Sequence, residues 1–518
     1  MTANYTDCFE IPLEPDEKLW SGAVKEGLGM PFEPGYKFDF YANNLQNQLQ
    51  PLVLSDKGLY VWSEEPFAIE RKESALQVRS FKDSVRHGRA GETLRDAHAF
   101  ACKEFFPPVG KVPNPESFSQ INYSTWIEMT YFSTQEKVLD YARGILDAGL
   151  PPGVLVIDES WEENYGIWDF HSGRFPDPKV MVDELHEMGF KVLLFVVPFI
   201  SPDRHMLLEE LLERQALFLD GGGGDVTYQN AVKPALIEWW SGYSACLDFT
   251  SVTARQWFRE QLDYLTGTYG VDGFKFEGAD MNYYNGTGLS SRKVSPNEHC
   301  RLYAQLATNY PLNQVRACWK LGGQALLQRL HDKEHSWQDL RMNIPHILVQ
   351  SLSGYPFACS DMIGGGLWID FLPGCDFDQE LFVRSAQCQA LFPVMQISLA
   401  PWRVLEPAYL EAFMASIKTR QNYEDKLNSL AADSSTSGRP IIASLEYVFP
   451  GQGYASVTDQ FMLGSSILVA PMLRRGTKRI VVLPEGNWID DAGASHKGGQ
   501  SIEVEVPLER LPVFTRAN

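Results

Sequence analysis

The hydrophobic pattern between residues 120 and 432 alternates between two kinds of segment. Continuous apolar runs such as GVLVIDESW and VDGFKFEG predict buried strands, whereas runs such as TQEKVLDYARGILDAG place apolar residues at helical spacing. Buried strands separated by amphipathic helices predict a parallel sheet that is covered by helices on both faces. About eight such units in roughly 310 residues predict an α/β fold, a (β/α)8 TIM barrel with insertions.

The pattern differs on both sides of this region. Residues 1–88 show short alternating segments with Pro, Gly and Asn breaks, which predict an N-terminal β-sandwich. Residues 89–119 form a predicted connector with one helix over 92–106, and strand patterns return in 433–518, a predicted C-terminal β domain. Within the barrel, residues 219–243 are predicted to form a loop over its mouth, in which Gly221–Gly224 would be a hinge or a disordered stretch.

Composition narrows the classes of partner. The chain has 518 residues and a formal net charge of −21, so nucleic acid and anionic membranes are not expected as partners. The N-terminus shows no signal-peptide pattern and no window approaches a membrane span, which favours a cytoplasmic protein. The eight cysteines show no metal-type spacing and are expected to be free thiols.

Acidic residues follow three of the predicted barrel strands. Asp158 ends one strand, Glu277 and Asp280 end another, and Asp361 ends a third. Because the C-terminal ends of barrel strands surround the active site, these carboxylates are expected to converge on one pocket, although a single acid there often only caps the next helix. Converging carboxylates suit glycoside hydrolysis or a divalent cation, and Lys275, on the same face of its strand as Glu277, disfavours the metal.

Several long segments in order resemble glycoside hydrolase family 31. They include NYSTWIEMTY, DESWEENYGIWDFHSGRFPDPKVMVDELHEMGFKV, GFKFEGAD, GYPFACSDMIGGG and DQFMLGSSILVAPML, and they extend over nearly the whole chain. The resemblance implies a retaining α-glycosidase whose barrel lies between β domains, and it implies no metal and no other cofactor.

The resemblance assigns the nucleophile position to Glu277, where the family has aspartate. Glutamate carries one more methylene group, so its carboxylate reaches ~1.5 Å further. Three interpretations follow: a backbone adjusted to glutamate, an impaired or engineered variant, or a sugar-binding protein without hydrolysis. Asp280 as a replacement nucleophile is a further, weaker alternative, because it lies three residues after Glu277, beyond the strand end.

The resemblance also implies roles for residues that pattern alone leaves open. Asp332 in LHDKEHSW matches the family's acid/base position, although the charged run HDKEH alone predicts a solvated surface. Glu334 is the neighbour most easily confused with it. Asp158 and Asp361 match residues that hold sugar hydroxyls, and Arg316 and Lys275 match basic residues near the same subsite, with buried ion pairs as the alternative.

Aromatic side chains are candidates for the pocket walls, with ordinary core packing as the alternative for each. Trp319 and Trp368 are assigned to the core. The candidates for the walls are Trp126, Trp161, Trp168, Trp337 and Trp402.

Taken together, the sequence predicts an exo-acting, retaining α-glycosidase that hydrolyses terminal α-galactosides or α-glucosides. Its partner is therefore an oligosaccharide or glycoside, and an oligomer is compatible with the sequence. Two alternatives remain open: a carbohydrate-binding protein without turnover, and a lyase of the same family that removes the C2 proton of the sugar.

Overall fold

A closed barrel of eight parallel strands lies at the centre of the computed structural model, which describes residues 3–43, 46–221, 233–284 and 288–517. The strands pair in chain order, and the last closes on the first. They are β1 (Asn122–Ser124), β2 (Val154–Ile157), β3 (Lys191–Val196), β4 (Gly273–Phe276), β5 (Leu312–Val315), β6 (Gln328–Arg329), β7 (Ala358–Met362) and β8 (Val394–Ile397). The predicted TIM barrel is confirmed.

Helices cover the outside of the barrel, and polar side chains cap their first turns. Thr134, Asp177, Ser251, Ser295 and Ser336 each accept a hydrogen bond from the backbone N–H three residues on, which satisfies a donor that the helix leaves unpaired. The longer helices are Gln135–Asp147, Pro178–Glu187, His205–Glu213, Val252–Tyr269, Pro296–Leu306, Trp337–Leu352, Gln379–Gln389, Pro407–Asn422 and Glu424–Ser437. Within the described ranges, no helix combines the length and apolar character that crossing a bilayer requires.

One connection departs from the predicted alternation of strands and helices. The chain between β5 and β6 forms the short strand Cys318–Trp319, which pairs with Gln48 and Leu49 of the N-terminal domain. The barrel loop therefore continues a sheet of the neighbouring domain, which fixes the residues at the ends of β5 and β6 from outside.

The N-terminal domain contains two sheets that share one hydrophobic core, so a flanking β domain is confirmed there. Helix Leu94–Phe105, within the predicted helix 92–106, links it to the barrel region. One sheet has the order Asp7–Pro12, Ala75–Ser80, Ala68–Arg71 and Lys37–Asp39; the other has Cys318–Trp319, Gln48–Ser55, Leu59–Ser63 and Val85–Arg89, with Leu19–Ala23 paired to Gln48–Ser55.

The C-terminal β domain packs on the barrel through a buried arginine. Arg384 on helix Gln379–Gln389 donates to the carbonyls of Val506, Pro507 and Gly476 at 2.9–3.1 Å. The strands are Ile442–Ala443, Phe461–Leu463, Ile467–Val469, Val513–Arg516, Asn487–Asp490 and Ser495–Lys497 in one sheet, and Lys478–Leu483 and Gln500–Glu505 in another.

Short elements build the loops above the C-terminal ends of the barrel strands. Part of the predicted mouth loop forms a hairpin, Leu236–Trp239 and Gly242–Cys246, which pairs with Phe199–Ile200. The prediction for Gly221–Gly224 falls largely on residues 222–232, outside the described ranges. The other short elements there are Trp126–Met129, the hairpin Glu162–Asn164 and Ile167–Phe170, Met281–Tyr284 and Trp368–Phe371.

Candidate active site

A pocket of about 270 Å³ opens at the C-terminal ends of the barrel strands. Its wall combines charged side chains from β2, β4, β5 and β6 with aromatic rings from the surrounding loops. The lining residues are Gln46, Trp126, Tyr131, Asp158, Glu159, Phe195, Trp240, Lys275, Glu277, Asp280, Tyr283, Arg316, Arg329, His331, Asp332, Leu367 and Trp368.

Glu277 is the first residue after β4, and its side chain is 5% exposed. Its backbone N–H donates to the Val196 carbonyl at 2.9 Å, which extends the pairing between β3 and β4 by one residue. The carboxylate accepts a hydrogen bond from Arg316 Nε, and Oε1 lies 3.6 Å from Arg329 Nη1 and 3.8 Å from Lys275 Nζ. Three cationic groups from three strands therefore hold this carboxylate in the pocket.

Asp280 is engaged by the same arginine. Arg316 Nη2 and Nη1 donate to its two carboxylate oxygens at 2.7 and 3.2 Å, a bidentate pair that fixes the guanidinium plane. Gly278 turns the chain between the two acids with φ +75°, and a Cβ there would lie 3.0 Å from the Phe199 ring. The tight turn brings Asp280 back to the pocket wall.

Asp158 anchors the lysine of β4. Its Oδ2 accepts hydrogen bonds from Lys275 Nζ and Ser124 Oγ, both at 2.8 Å. The expected alternative of buried ion pairs for Lys275 and Arg316 is therefore present in the structure, and both side chains also line the pocket.

Glu159, the next residue, holds the loops above the pocket together. Its buried carboxylate accepts hydrogen bonds from Tyr165 Oη, from Ser241 Oγ at 2.7 Å and from Trp240 Nε1 at 3.0 Å. Trp240 in turn places its ring 5.8 Å from the guanidinium carbon of Arg316. Burial raises the pKa of the Glu159 carboxyl, and the three donors oppose that shift.

Asp332 follows β6 and also lines the pocket. Arg329 Nη2 donates both to Asp332 Oδ1 and, at 2.7 Å, to Asp361 Oδ1. Asp361 is buried behind the pocket wall, and its Oδ2 accepts a hydrogen bond from the Lys333 backbone N–H at 2.8 Å. With φ +134°, Asp361 has a strained backbone of the kind that concentrates at functional sites.

The two aspartates that contact Arg329 differ in the direction of their pKa shifts. Desolvation in the pocket would raise the pKa of Asp332, whose side chain is 43% exposed, but the hydrogen bond and charge of Arg329, together with the charges of Lys275 and Arg316, hold that pKa below its usual value. Burial raises the pKa of Asp361 above its usual value, and Asp332 adds to the rise although Arg329 opposes it. As pH falls, Asp361 therefore takes up a proton before Asp332 does.

The structure brings seven of the twelve predicted site residues to the pocket wall, and Asp361 directly behind it. The seven are Trp126, Asp158, Lys275, Glu277, Asp280, Arg316 and Asp332.

Four predicted tryptophans do not line the pocket, and each has its own packing partners. Trp161 is fully buried and donates to the Phe195 carbonyl, and Trp168 packs edge-on against two aromatic rings in the core. Trp337 donates to Asp378, which caps the N-terminus of helix Gln379–Gln389, and the ring of Trp402 lies near that of Tyr141. Apolar bulk alone did not distinguish core from wall.

Several residues that line the pocket were not predicted from the sequence. Trp368, assigned to the core, contributes to the wall, whereas Trp319 is buried as expected. Arg329 lies in a two-residue strand without an apolar run, so no periodicity marked it. Glu159 and Trp240 could have been found from their positions, beside Asp158 and in the predicted mouth loop.

Within the described ranges, no group of three or more His, Cys, Asp or Glu side chains is arranged to hold a metal ion. The pocket acids are instead paired with arginine and lysine.

Carboxylates that converge at the C-terminal face of a TIM barrel are the arrangement of a glycoside hydrolase. The chain matches the glycosyl hydrolases family 31 TIM-barrel domain over residues 115–423 and the family's C-terminal domain over residues 438–518. It therefore belongs to glycosyl hydrolase family 31.

Relatives place the chain among named glycosidases. It is 32% identical to the myogenesis-regulating glycosidase of Mus musculus, over 82% of this chain and 59% of the relative. It is 24% identical to alpha-glucosidase 2 of Bacillus thermoamyloliquefaciens, over 82% of this chain and 55% of the relative. The chain thus spans less than two thirds of the length of these relatives.

Solved structures share the fold. The family 31 dextranase of Flavobacterium johnsoniae, complexed with glucose, superposes with a TM-score of 0.86 at 19% identity, over 100% of this chain and 67% of that one. A cycloalternan-degrading enzyme of Trueperella pyogenes, in complex with a covalent intermediate, gives 0.81 at 18% identity, over 99% of this chain and 77% of that one.

Proposed function

We propose that this chain is a retaining, exo-acting α-glycosidase, with Glu277 as nucleophile and Asp332 as acid/base. The observation that carries the proposal is that these two carboxylates come from different strands, β4 and β6, onto one pocket, and that a single guanidinium contacts both. A retaining mechanism requires two carboxyl groups on opposite sides of the glycosidic bond.

Each carboxylate has one task in each step. In the first step a Glu277 oxygen bonds to C1 of the sugar as the bond from C1 to the leaving oxygen breaks, and Asp332 supplies the proton to that oxygen. In the second step Asp332 takes a proton from water, the water oxygen bonds to C1, and Glu277 is released. Two inversions at C1 leave the anomeric configuration unchanged.

The pocket supports a single sugar at the reacting position. At about 270 Å³ it is at or below the small end of the range for ligand pockets, which suits one terminal hexose better than the middle of a chain. Asp158, Asp280 and Lys275 line it and supply groups that recognise hydroxyls, and Trp126 and Trp240 supply flat apolar surface. We propose an α-galactoside or α-glucoside as the substrate.

Glu277 has one methylene group more than the aspartate that the family has at this position, so its carboxylate must be held in place by its surroundings. Arg316 donates a hydrogen bond to the carboxylate of Glu277. Arg316 is in turn fixed by its hydrogen bonds to Asp280 and, at 2.8 Å, to the Gln46 carbonyl. A carboxylate fixed at its end by a buried guanidinium has one defined position, which is what nucleophilic attack requires. This contact favours a site adjusted to glutamate over an impaired variant.

The test is hydrolysis of para-nitrophenyl α-galactoside and α-glucoside by the wild type, Glu277→Gln and Glu277→Asp. We expect turnover by the wild type of one sugar, and its loss by at least about a hundredfold in Glu277→Gln because the amide is a poor nucleophile. A silent wild type that Glu277→Asp activates would contradict the proposal and indicate a disabled glycosidase.

Product analysis in this assay, together with calorimetry, separates the other two alternatives. A product that absorbs in the ultraviolet because it carries a carbon–carbon double bond would identify a lyase. Sugar binding by calorimetry without turnover in any variant would identify a binding protein.

A further inference from the structure

Arg329 makes contacts that the proposed mechanism does not yet use. Its side chain is 2% exposed, and its guanidinium reaches Asp332, Asp361 and, at 3.6 Å, Glu277. One cation therefore touches the nucleophile, the acid/base and the buried acid behind them.

The backbone around Arg329 holds it firmly in place. Gln48 Nε2 donates to the Arg329 carbonyl at 2.8 Å, and Gln350 donates to Gln48 at 3.0 Å. Arg329 also pairs with Cys359 across β6 and β7. The guanidinium is thus presented from a rigid barrel strand, and not from a mobile loop.

A hydrogen bond from a guanidinium stabilises a carboxylate and disfavours its protonated form. The acid in the first glycosidase step must carry a proton, whereas the base in the second step must not. The hydrogen bond from Arg329 to Asp332 therefore favours the second step and opposes the first.

We propose that Arg329 is a positioning residue that keeps Asp332 ionised in the resting enzyme, and that the preferred substrates are glycosides of weakly basic aglycones, such as phenols. This inference rests on the proposed function. For a basic leaving oxygen the first step uses the fraction of Asp332 that carries a proton, so that step is slow. For a phenol, Glu277 forms the new bond to C1 as the bond from C1 to the aglycone oxygen breaks, and the electron pair leaves on a phenolate, which needs little proton transfer from Asp332. Water then enters with Asp332 as base.

Other charged groups also face Asp332, but their contacts differ. Among the described residues, Arg329 alone of the nearby cations donates a hydrogen bond to it. Electrostatic interaction without a hydrogen bond links Asp332 to four other groups. Lys275 and Arg316 lower the pKa of Asp332, and Asp332 raises the pKa values of Asp361 and Tyr131.

The test compares two leaving-group classes across pH. The rate constant kcat/KM is measured from pH 4 to 9 for para-nitrophenyl and methyl α-glycosides of the sugar that the wild type cleaves. In Arg329→Gln we expect the basic limb of the profile to move up by at least about one pH unit. We also expect the methyl to para-nitrophenyl rate ratio at pH 7 to rise about tenfold, because one pKa unit is a factor of ten in protonation.

Two further variants separate charge from general damage. Arg329→Lys keeps the cation and should keep a wild-type basic limb and ratio. Arg479→Gln removes another buried arginine with a carboxylate partner, Asp459 at 3.0 Å in the C-terminal domain, and should leave both readouts unchanged. An active Arg329→Gln enzyme with unmoved limb and ratio would overturn the inference.

A readout without turnover covers the case in which the proposed function fails. Carbon-13 NMR titration of labelled aspartate, with Asp332→Asn to assign the signal, follows the Asp332 carboxyl directly. We expect Arg329→Gln to raise its midpoint by at least about one pH unit. An unchanged midpoint overturns the inference, whereas absent hydrolysis with a shifted midpoint overturns the proposed function alone.

Discussion

At the scale of single residues, the site depends on close approach between carboxylates and backbone. Gly366 passes so near to the acids that a Cβ there would lie 2.7 Å from Asp332 Oδ1 and 2.9 Å from Asp361 Oδ1. Its carbonyl also accepts the Trp126 indole N–H at 2.9 Å. A glycine therefore sets the distance between the pocket wall and the proposed acid/base.

Gly366→Ala is expected to lower kcat/KM by about a hundredfold, because displacing a reacting group by about 1 Å has that order of effect. Kinetics on a para-nitrophenyl glycoside measures it. Gly267→Ala, in helix Val252–Tyr269 with no atom within 4 Å of the new methyl group, is the matched control. Equal activity of the two variants would refute the assigned contact.

The buried Lys333 should make the free energy of unfolding depend on pH. It is buried and donates to the Ser360 carbonyl, and burial lowers its pKa from 10.5 to about 8. Between these values the unfolded chain binds more protons than the folded one, so the free energy of unfolding should rise with pH in this window. Urea titrations at pH 8 and 10 should show this rise in the wild type relative to Lys333→Met, and parallel behaviour of the two would contradict it.

The positions of some pocket residues could be predicted because apolar runs marked their strands. Asp158, Glu277 and Asp280 follow such runs and Lys275 lies within one, so barrel geometry alone predicted that they lie together. Asp332 needed the family resemblance, because its strand is two residues long. Arg329 had neither signal, and the tryptophans were ambiguous because core packing and pocket walls use the same apolar surface.

At the scale of elements, the hairpin Leu236–Trp239 and Gly242–Cys246 depends on one buried carboxylate. Glu159 accepts hydrogen bonds from Trp240 and Ser241, which form the turn of this hairpin, and from Tyr165 in the turn of the hairpin Glu162–Asn164 and Ile167–Phe170. The eight-strand barrel could be predicted from apolar periodicity. The hydrogen bonds from Trp240 and Ser241 to Glu159 could not, because they join residues that are separated by 81 and 82 positions and leave no local pattern in the sequence.

Glu159→Ala is expected to release the hairpin and move Trp240 away from Arg316. Because Trp240 lines the pocket as a flat apolar surface, we expect KM to rise about tenfold while kcat changes less. Steady-state kinetics separates the two constants. The exposed neighbour Glu163, changed to Ala, is the control, and a selective fall in kcat in Glu159→Ala would contradict this role.

At the scale of the whole molecule, the N-terminal domain helps to build the barrel's pocket. Gln46 lines it, and the buried Gln48 donates to the carbonyls of both Arg316 and Arg329. The sequence predicted this domain but not its link to the site, because the pairing of Gln48 with Cys318 joins residues far apart in the chain.

Gln48→Leu is therefore expected to lower both stability and activity. Each buried carbonyl left without a donor costs about 1–3 kcal/mol, and the two arginines lose their support. Denaturant unfolding and kcat/KM measure the two effects. Gln256→Leu, the same change on an exposed helix position, should alter neither, and a Gln48→Leu protein with full activity would show that the domain does not support the pocket.

In the proposed mechanism, Glu277 forms the covalent bond to the sugar. The most direct measurement is to incubate the protein with a 5-fluoro α-glycosyl fluoride, which slows release of the intermediate, and to locate the added sugar by peptide mass spectrometry. We predict a single hexosyl adduct on Glu277, absent from Glu277→Gln. An adduct on Asp280 would contradict this assignment. So would a protein that hydrolyses glycosides and is inactivated by the reagent but carries no adduct.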